Sequence, residues 1–331
     1  MLLHGDDSVT LQERNVMLVA GRNGEYTMEQ FKDTTNETSS VYASLTGPVE
    51  YHLTNDYMFR AVMQKNENVL KHLLCALLRL SPESVEKLEI MNPIILGAEI
   101  DSKTCILDIR LILNNNHYYN IEMQVSKQKY WKERSLTYLC RNYDNLESGQ
   151  EYDEVIPAMQ ISILDFDLFE NIEELSSRYY LINENPEYRN QYTDGFGIIT
   201  LNLPQIHNKK VIAAEQNTEL YQWARFFKAE SWEEMRMLAQ NNEAMNECVN
   251  TMAQLSEDEQ IRMQCEARKD NLAIEKGLYN RGYRQGQQEG QHLGELRGKV
   301  LTYAEFGLNL EEISEKVSIP VDEVKQILST K

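Results

Sequence analysis

The chain of 331 residues has no apolar run approaching eighteen residues, so no membrane span is expected. Its first residues, MLLHGDDSV, lack the basic stretch and long apolar run of a signal peptide. Cysteine is scarce and odd in number: Cys75, Cys105, Cys140, Cys248 and Cys265, with no CxxC pair. That pattern argues against a zinc site and predicts free thiols in a reducing cytoplasm. Positive charge is also short. Thirty-three Lys and Arg face 52 Asp and Glu, for a net charge of −19. A uniformly basic nucleic-acid-binding surface is therefore excluded. What remains is ordinary for a water-soluble globular protein, at 42% hydrophobic and 26% charged residues. The length suffices for one sizeable core and a second, smaller unit.

Two segments alternate with period two: Ile106–Leu113 and Tyr118–Val125. Leu107, Ile109, Leu111 and Leu113, then Tyr119, Ile121, Met123 and Val125, form an apolar row. Such alternation predicts half-buried strands, and the Asn114-Asn115-Asn116-His117 stretch between them predicts a hairpin loop. The other row carries Asp108, Arg110, Asn120, Glu122 and Gln124. A loop centred on Asn115 pairs Asp108 with Glu122 on one face of the hairpin. A slip by one residue would bury a polar row, so the register is well specified. Two facing carboxylates, with Gln124 one step along, outline a Mg²⁺ site, because that ion takes carboxylate oxygens plus water and phosphate. The plainer alternative is a solvated strand face. The following segment adds Lys127, Lys129, Lys132, Arg134 and Arg141 against Glu133 alone, a local basic excess beside the acids.

The order of an Asp, then Glu-x-Gln on the next strand, resembles the PD-(D/E)XK nuclease superfamily with Gln124 in place of its lysine. The texts LTNDYMFRAVMQ (53–64), LDIRLIL (107–113) and YNIEMQVSKQKYWKERSLTYLCRNYDNL (119–146) resemble the recombination-promoting nucleases, also described as transposases. The likeness covers roughly residues 50–205, and the glycine-rich C-terminal segment also resembles that family's tail. It implies an α/β (α+β) fold: a restriction-endonuclease-like mixed sheet flanked by helices, with a helical C-terminal tail. It further implies a metal-dependent DNA endonuclease using Mg²⁺ or Mn²⁺. Asp108 and Glu122 would be the metal ligands, Gln124 would orient water, and Asp56 matches the family's early helical acid. Asp56 reads equally as an acid complementing the dipole of its helix. Arg110, Lys127 and Arg134 are candidates for phosphate contact, and Tyr130 for core packing. The competing class is a nuclease core retained as a scaffold that acts through its tail, which the −19 charge favours.

Along the chain, residues 1–46 form a polar extension around TTNETSS (34–40), with a short strand or helix at most. The nuclease-like core is expected over 47–210. Within it, Thr54 or Asn55 caps a helix through Val62, and helices cover Val69–Leu80 and Lys129–Asn145. Val85–Ile95 leads into the hairpin, Val155–Leu164 is a buried strand, and Tyr179–Ile182 pairs with Ile198–Leu203. A helical region follows over 211–275, with Leu220, Trp223, Ala224 and Phe227 at helical spacing and a capping box predicted at Ser256 and Glu259. Residues 276–300 hold Gly277, Gly282, Gly286, Gly290, Gly294 and Gly298, read as either a self-associating helix or a linker. Residues 301–331 form a small helical hairpin resembling a helix-turn-helix, but with six acids against three lysines. The expected partners are DNA and a second copy of the chain through Gly277–Gly298, with no membrane.

Overall fold

A computed structural model describes residues 16–20, 26–30, 45–95 and 105–329. The TTNETSS stretch lies outside them. Within the N-terminal extension, β1 (Val16–Ala20) and β2 (Tyr26–Gln30) pair antiparallel. Two compact units follow from the packing, residues 1–269 and 270–331.

In the larger unit, helix α1 (Asp56–Lys65) begins where the Asn55 side chain accepts the backbone N–H groups of Tyr57 and Met58. Helix α2 (Glu67–Leu78) is capped the same way by Asn66. It stops two residues short of the expected Leu80, because Arg79 takes a left-handed conformation and Leu80 N–H closes back on Cys75 O at 3.0 Å.

Strands β3 (Leu88–Met91), β6 (Ile109–Leu113), β7 (His117–Gln124), β8 (Ala158–Leu164), β9 (Ser176–Tyr180) and β10 (Phe196–Asn202) build one sheet in the order β3-β6-β7-β8-β10-β9. Two short strands, β4 (Ile94–Ile95) and β5 (Cys105–Ile106), pair separately. The β6–β7 hairpin runs from Ile109↔Ile121 to Leu113↔His117, the predicted register centred on Asn115. Asn114 and Asn115 both adopt positive φ there, which asparagine tolerates better than most residues. Helix α3 (Trp131–Tyr143) carries the chain across so that β8 lies parallel to β7. β10 is parallel to β8 and antiparallel to the edge strand β9. Parallel and antiparallel pairs thus share one sheet flanked by helices, the restriction-endonuclease-like arrangement that the resemblance implies.

The two sheet faces differ. Tyr119, Ile121 and Met123 point into the main core with Ile161, Ile163, Ile199 and Leu201. The opposite row is not solvated: Asn120, Glu122, Gln124, Gln160, Ser162 and Thr200 are all buried. Helix α3 packs over β7, β8 and β10 and presents Trp131, Ser135, Tyr138 and Asn142, spaced three and four apart. This overturns the solvated-face reading of the hairpin. The main core continues into α4 (Lys209–Glu215), α5 (Glu219–Phe227), α6 (Trp232–Ala239) and α7 (Glu243–Glu257), where Trp223, Phe226 and Met252 are buried.

Helix α8 (Glu259–Glu305) does not start at a Ser256 capping box. Ser256 is still inside α7, its hydroxyl bonded to Met252 O, and Asp258 instead accepts from Gln260 and Ile261 N–H. In the smaller unit, Val300 of α8 packs with Ile313 of α9 (Leu310–Val317) and Val324 of α10 (Val321–Ser329). Asn309 and Glu312 form the capping box that opens α9, and Ser318 in a left-handed conformation closes it. No helix among the described residues is long and apolar enough to cross a membrane. Cys75, Cys140, Cys248 and Cys265 are free.

Candidate active site

Asp108 lies in a break between β5 and β6 rather than within the continuous strand expected over 106–113. The break has a local cause. Leu107 N–H bonds to Pro93 O at 3.0 Å, and Met123 N–H is taken by Asp108 Oδ2 at 2.9 Å. Asp108's own N–H donates to Glu122 Oε1 at 3.0 Å. Side chains thus replace ladder hydrogen bonds at this end of the hairpin. Asn120 Nδ2 also donates to Glu122 Oε1 at 3.3 Å and to Gln160 Oε1 at 2.6 Å on the neighbouring strand. Asp108 Oδ1 and Glu122 Oε2 stand outside these bonds.

Both acids are held above their usual range. Burial pushes Asp108 up to about 6, with the charge of Asp56 adding to the rise. Arg60, whose Nε is 3.9 Å from Asp108 Oδ1, the Met123 N–H and Arg134 pull the other way. Glu122 is also raised well above its usual range, first by burial and then by the charge of Asp108, against the Asp108 N–H, Arg134 and Asn120. Two buried carboxylates with raised proton affinity are a combination that a dication would reverse, by supplying the missing positive charge.

Gln124 is buried at the end of β7, and its Nε2 donates to Ser126 O at 2.9 Å. One N–H of the amide is therefore engaged, and its Oε1 accepts none of the hydrogen bonds among the described residues. Asp56 is the first residue of α1, and Arg268 of α8 approaches its Oδ2 at 2.6 Å. Its Oδ1 is buried with no hydrogen-bond partner. Among the described residues no three His, Cys, Asp or Glu side chains gather as a metal site, so Asp56 does not join Asp108 and Glu122 in a triad.

The basic candidates divide. Arg110 Nε donates to Asn142 Oδ1 at 2.9 Å and its guanidinium lies 5.1 Å from the Tyr118 ring, which ties it to α3 and the sheet. Arg134 donates to Tyr138 Oη at 2.7 Å and Gln128 Oε1 at 3.0 Å while its charge acts on both acids. Lys127 is exposed on the loop after β7, as are Lys129 and Lys132 nearby. Tyr130 is 63% exposed at the start of α3, which corrects its assignment to the core; Tyr138 occupies the buried position instead.

Sequence reasoning missed Arg60, although its place four residues after Asp56 puts the two on one face of α1. It also missed Asn120 and Gln160 as a pair, and Ser162, which sits opposite Glu122 with its buried Oγ unpartnered. Nothing local announces them, since they meet only through the parallel β7–β8 pairing.

A family model described as "PD-(D/E)XK nuclease family transposase" matches residues 53–276. No curated protein and no solved structure matches the chain. The match takes in α1, the β6–β7 hairpin, the crossover helix and the rest of the sheet, and it covers more than half of the chain. The protein therefore belongs to the PD-(D/E)XK nuclease family transposases.

Proposed function

We propose that this protein is a DNA endonuclease that hydrolyses phosphodiester bonds with Mg²⁺, or Mn²⁺ in its place, in the reducing cytoplasm where its thiols stay free. The observation that carries this reading is the locked pair Asp108 and Glu122, each held through backbone N–H groups of the other's strand. Their oxygens suit a hard divalent cation, and burial raises the proton affinity of both despite the neighbouring Arg60 and Arg134. Once bound, the ion would lower the pKa of a water and stabilise charge on the scissile phosphate.

The chain's own residues supply the rest. Asn120 and the Asp108 N–H hold Glu122 Oε1, so that its other oxygen would be the one to hold the ion. Gln124 Oε1 accepts a hydrogen from the attacking water and orients it. Arg60 and Arg134 offset the acids' charge beside the phosphate. Lys127, Lys129 and Lys132 form an exposed basic rim that contacts the DNA backbone despite the net charge of −19.

Incubating purified protein with supercoiled plasmid in Mg²⁺, Mn²⁺ or EDTA tests the reading. Nicked or linear product is expected with either metal and none with EDTA. No product with either metal, from protein that melts cooperatively, would overturn it in favour of a retained scaffold.

A further inference from the structure

Tyr130 is the N-cap of α3, a position that serine, threonine, asparagine and aspartate favour because their side chains accept an N–H of the first turn. The Tyr130 side chain makes no such bond and is exposed. The ring thus neither caps the helix nor fills the core. Its surroundings are basic. Lys129 Nζ lies 5.1 Å from the centre of the Tyr130 ring, and Lys132 Nζ lies 5.5 Å from that of Phe169, on the loop after β8. Lys127 is exposed three residues before Tyr130. Among the described residues no carboxylate pairs with any of these three lysines. The segment is also pinned beside the acids. Arg134 N–H donates to Tyr130 O at 3.0 Å, and Arg134 Nη1 donates to Gln128 Oε1, also at 3.0 Å. The charge of that same Arg134 acts on both Asp108 and Glu122. Asp165 N–H donates to Gln124 O at 2.9 Å, which brings the Phe169 loop to the same end of the sheet.

We propose that Tyr130 is a stacking platform for an unpaired base next to the scissile phosphate, with the surrounding lysines on the flanking phosphates, so that the protein prefers single-stranded DNA to duplex. The proposal rests on the nuclease reading for the place of the scissile phosphate. A base inside a duplex is stacked on both faces and offers a protein only its edges in the grooves. An unpaired base can lay its face on a ring, and every base has such a face. Ammonium groups beside the ring then follow the backbone. A segment this short needs no broad basic surface, which agrees with the net charge of −19. On duplex DNA, Tyr130 could serve only through its hydroxyl, as a donor to a phosphate.

Anisotropy in EDTA, with a labelled oligonucleotide either single-stranded or annealed to its complement, tests this. The wild type should bind the single strand about tenfold more tightly, the scale of one stacked base. Tyr130→Phe, which removes only the hydroxyl, should keep that preference. Tyr130→Ser should abolish it without lowering the melting temperature, since serine is the better cap. It should also leave the slope of log affinity against log salt unchanged, because stacking releases no counterions, whereas Lys127→Ala should reduce that slope by about 0.7. Equal affinity for the two forms, an undiminished preference in Tyr130→Ser, or a loss in Tyr130→Phe equal to that in Tyr130→Ser would each overturn the proposal. EDTA keeps cleavage out of this measurement, and plasmid nicking in Mg²⁺ is scored separately. Nicking with equal binding of both forms would remove only the stacking role; strand preference without nicking would remove only the nuclease reading.

Discussion

Asp108 and Glu122 are joined through backbone N–H groups rather than carboxyl to carboxyl: the Asp108 N–H donates to Glu122 Oε1 at 3.0 Å, while Asp108 Oδ2 accepts from Met123 N–H at 2.9 Å. Two acids that repel are thereby kept in one register by backbone donors, with one oxygen of each left over. The consequences for catalysis and stability are separable.

Asp108→Asn and Glu122→Gln each keep an acceptor for those backbone groups and remove the charge. Each should reduce Mg²⁺-dependent plasmid cleavage by about 10³-fold or more, the scale of a lost element of transition-state stabilisation. Their metal-free melting temperature at pH 8 should match or exceed that of the wild type. Cleavage at the wild-type rate by either variant would remove these residues from the active site.

The raised proton affinities carry a pH signature in the metal-free protein. A carboxyl group whose folded pKa exceeds its unfolded value stabilises fully below the unfolded value, near 4, and that contribution disappears as pH rises through the folded one. For Asp108 the window runs from about 4 to about 6, and Glu122 contributes with the same sign. Urea unfolding in EDTA should thus show the wild type losing on the order of 2 kcal/mol between pH 4.5 and 8 relative to the double variant Asp108→Asn, Glu122→Gln. Parallel pH profiles for the two proteins would refute the electrostatic account.

Gln124→Ala should slow cleavage by roughly 10²-fold if the amide oxygen orients the attacking water. Gln124→Lys should recover part of that loss by a different route, because an ammonium group cannot accept from the water but can keep the hydrogen bond to Ser126 O and supply positive charge beside the phosphate, as in the wider superfamily. Single-turnover rates with saturating metal would decide it; an unaltered rate for Gln124→Ala would reduce the residue to a strand-end polar group.

Asn120→Leu should cost on the order of 1–3 kcal/mol in urea unfolding, since it leaves buried Gln160 Oε1 without its donor. It should also lower cleavage, because Glu122 Oε1 loses one of its two donors. Replacing Asn120 and Gln160 together by Leu should restore stability better than it restores cleavage, which separates packing from the holding of Glu122.

Much of this protein is written locally. Period-two alternation on either side of an Asn run specifies the β6–β7 hairpin and its register, because one row must be buried and asparagine accepts the positive φ of the turn. Asn55 and Asn309 announce their helices, since a cap acts on N–H groups two or three residues away. The juxtaposition of Asp108 and Glu122 falls within this range, fourteen residues apart in one hairpin.

What tertiary structure alone decided lies beyond that range. The polar row of β7 reads as a solvated face until α3 covers it, and burial by a distant element turns ordinary acids into a strained pair. Asn120 meets Gln160, forty residues away, only because the crossover makes β7 and β8 parallel. Arg60 reaches Asp108, and Arg268 reaches Asp56, from helices whose placement depends on the whole core. Sequence patterns encode which groups neighbour one another along an element, through its period; which charges end up sharing a low-dielectric space depends on how the elements pack.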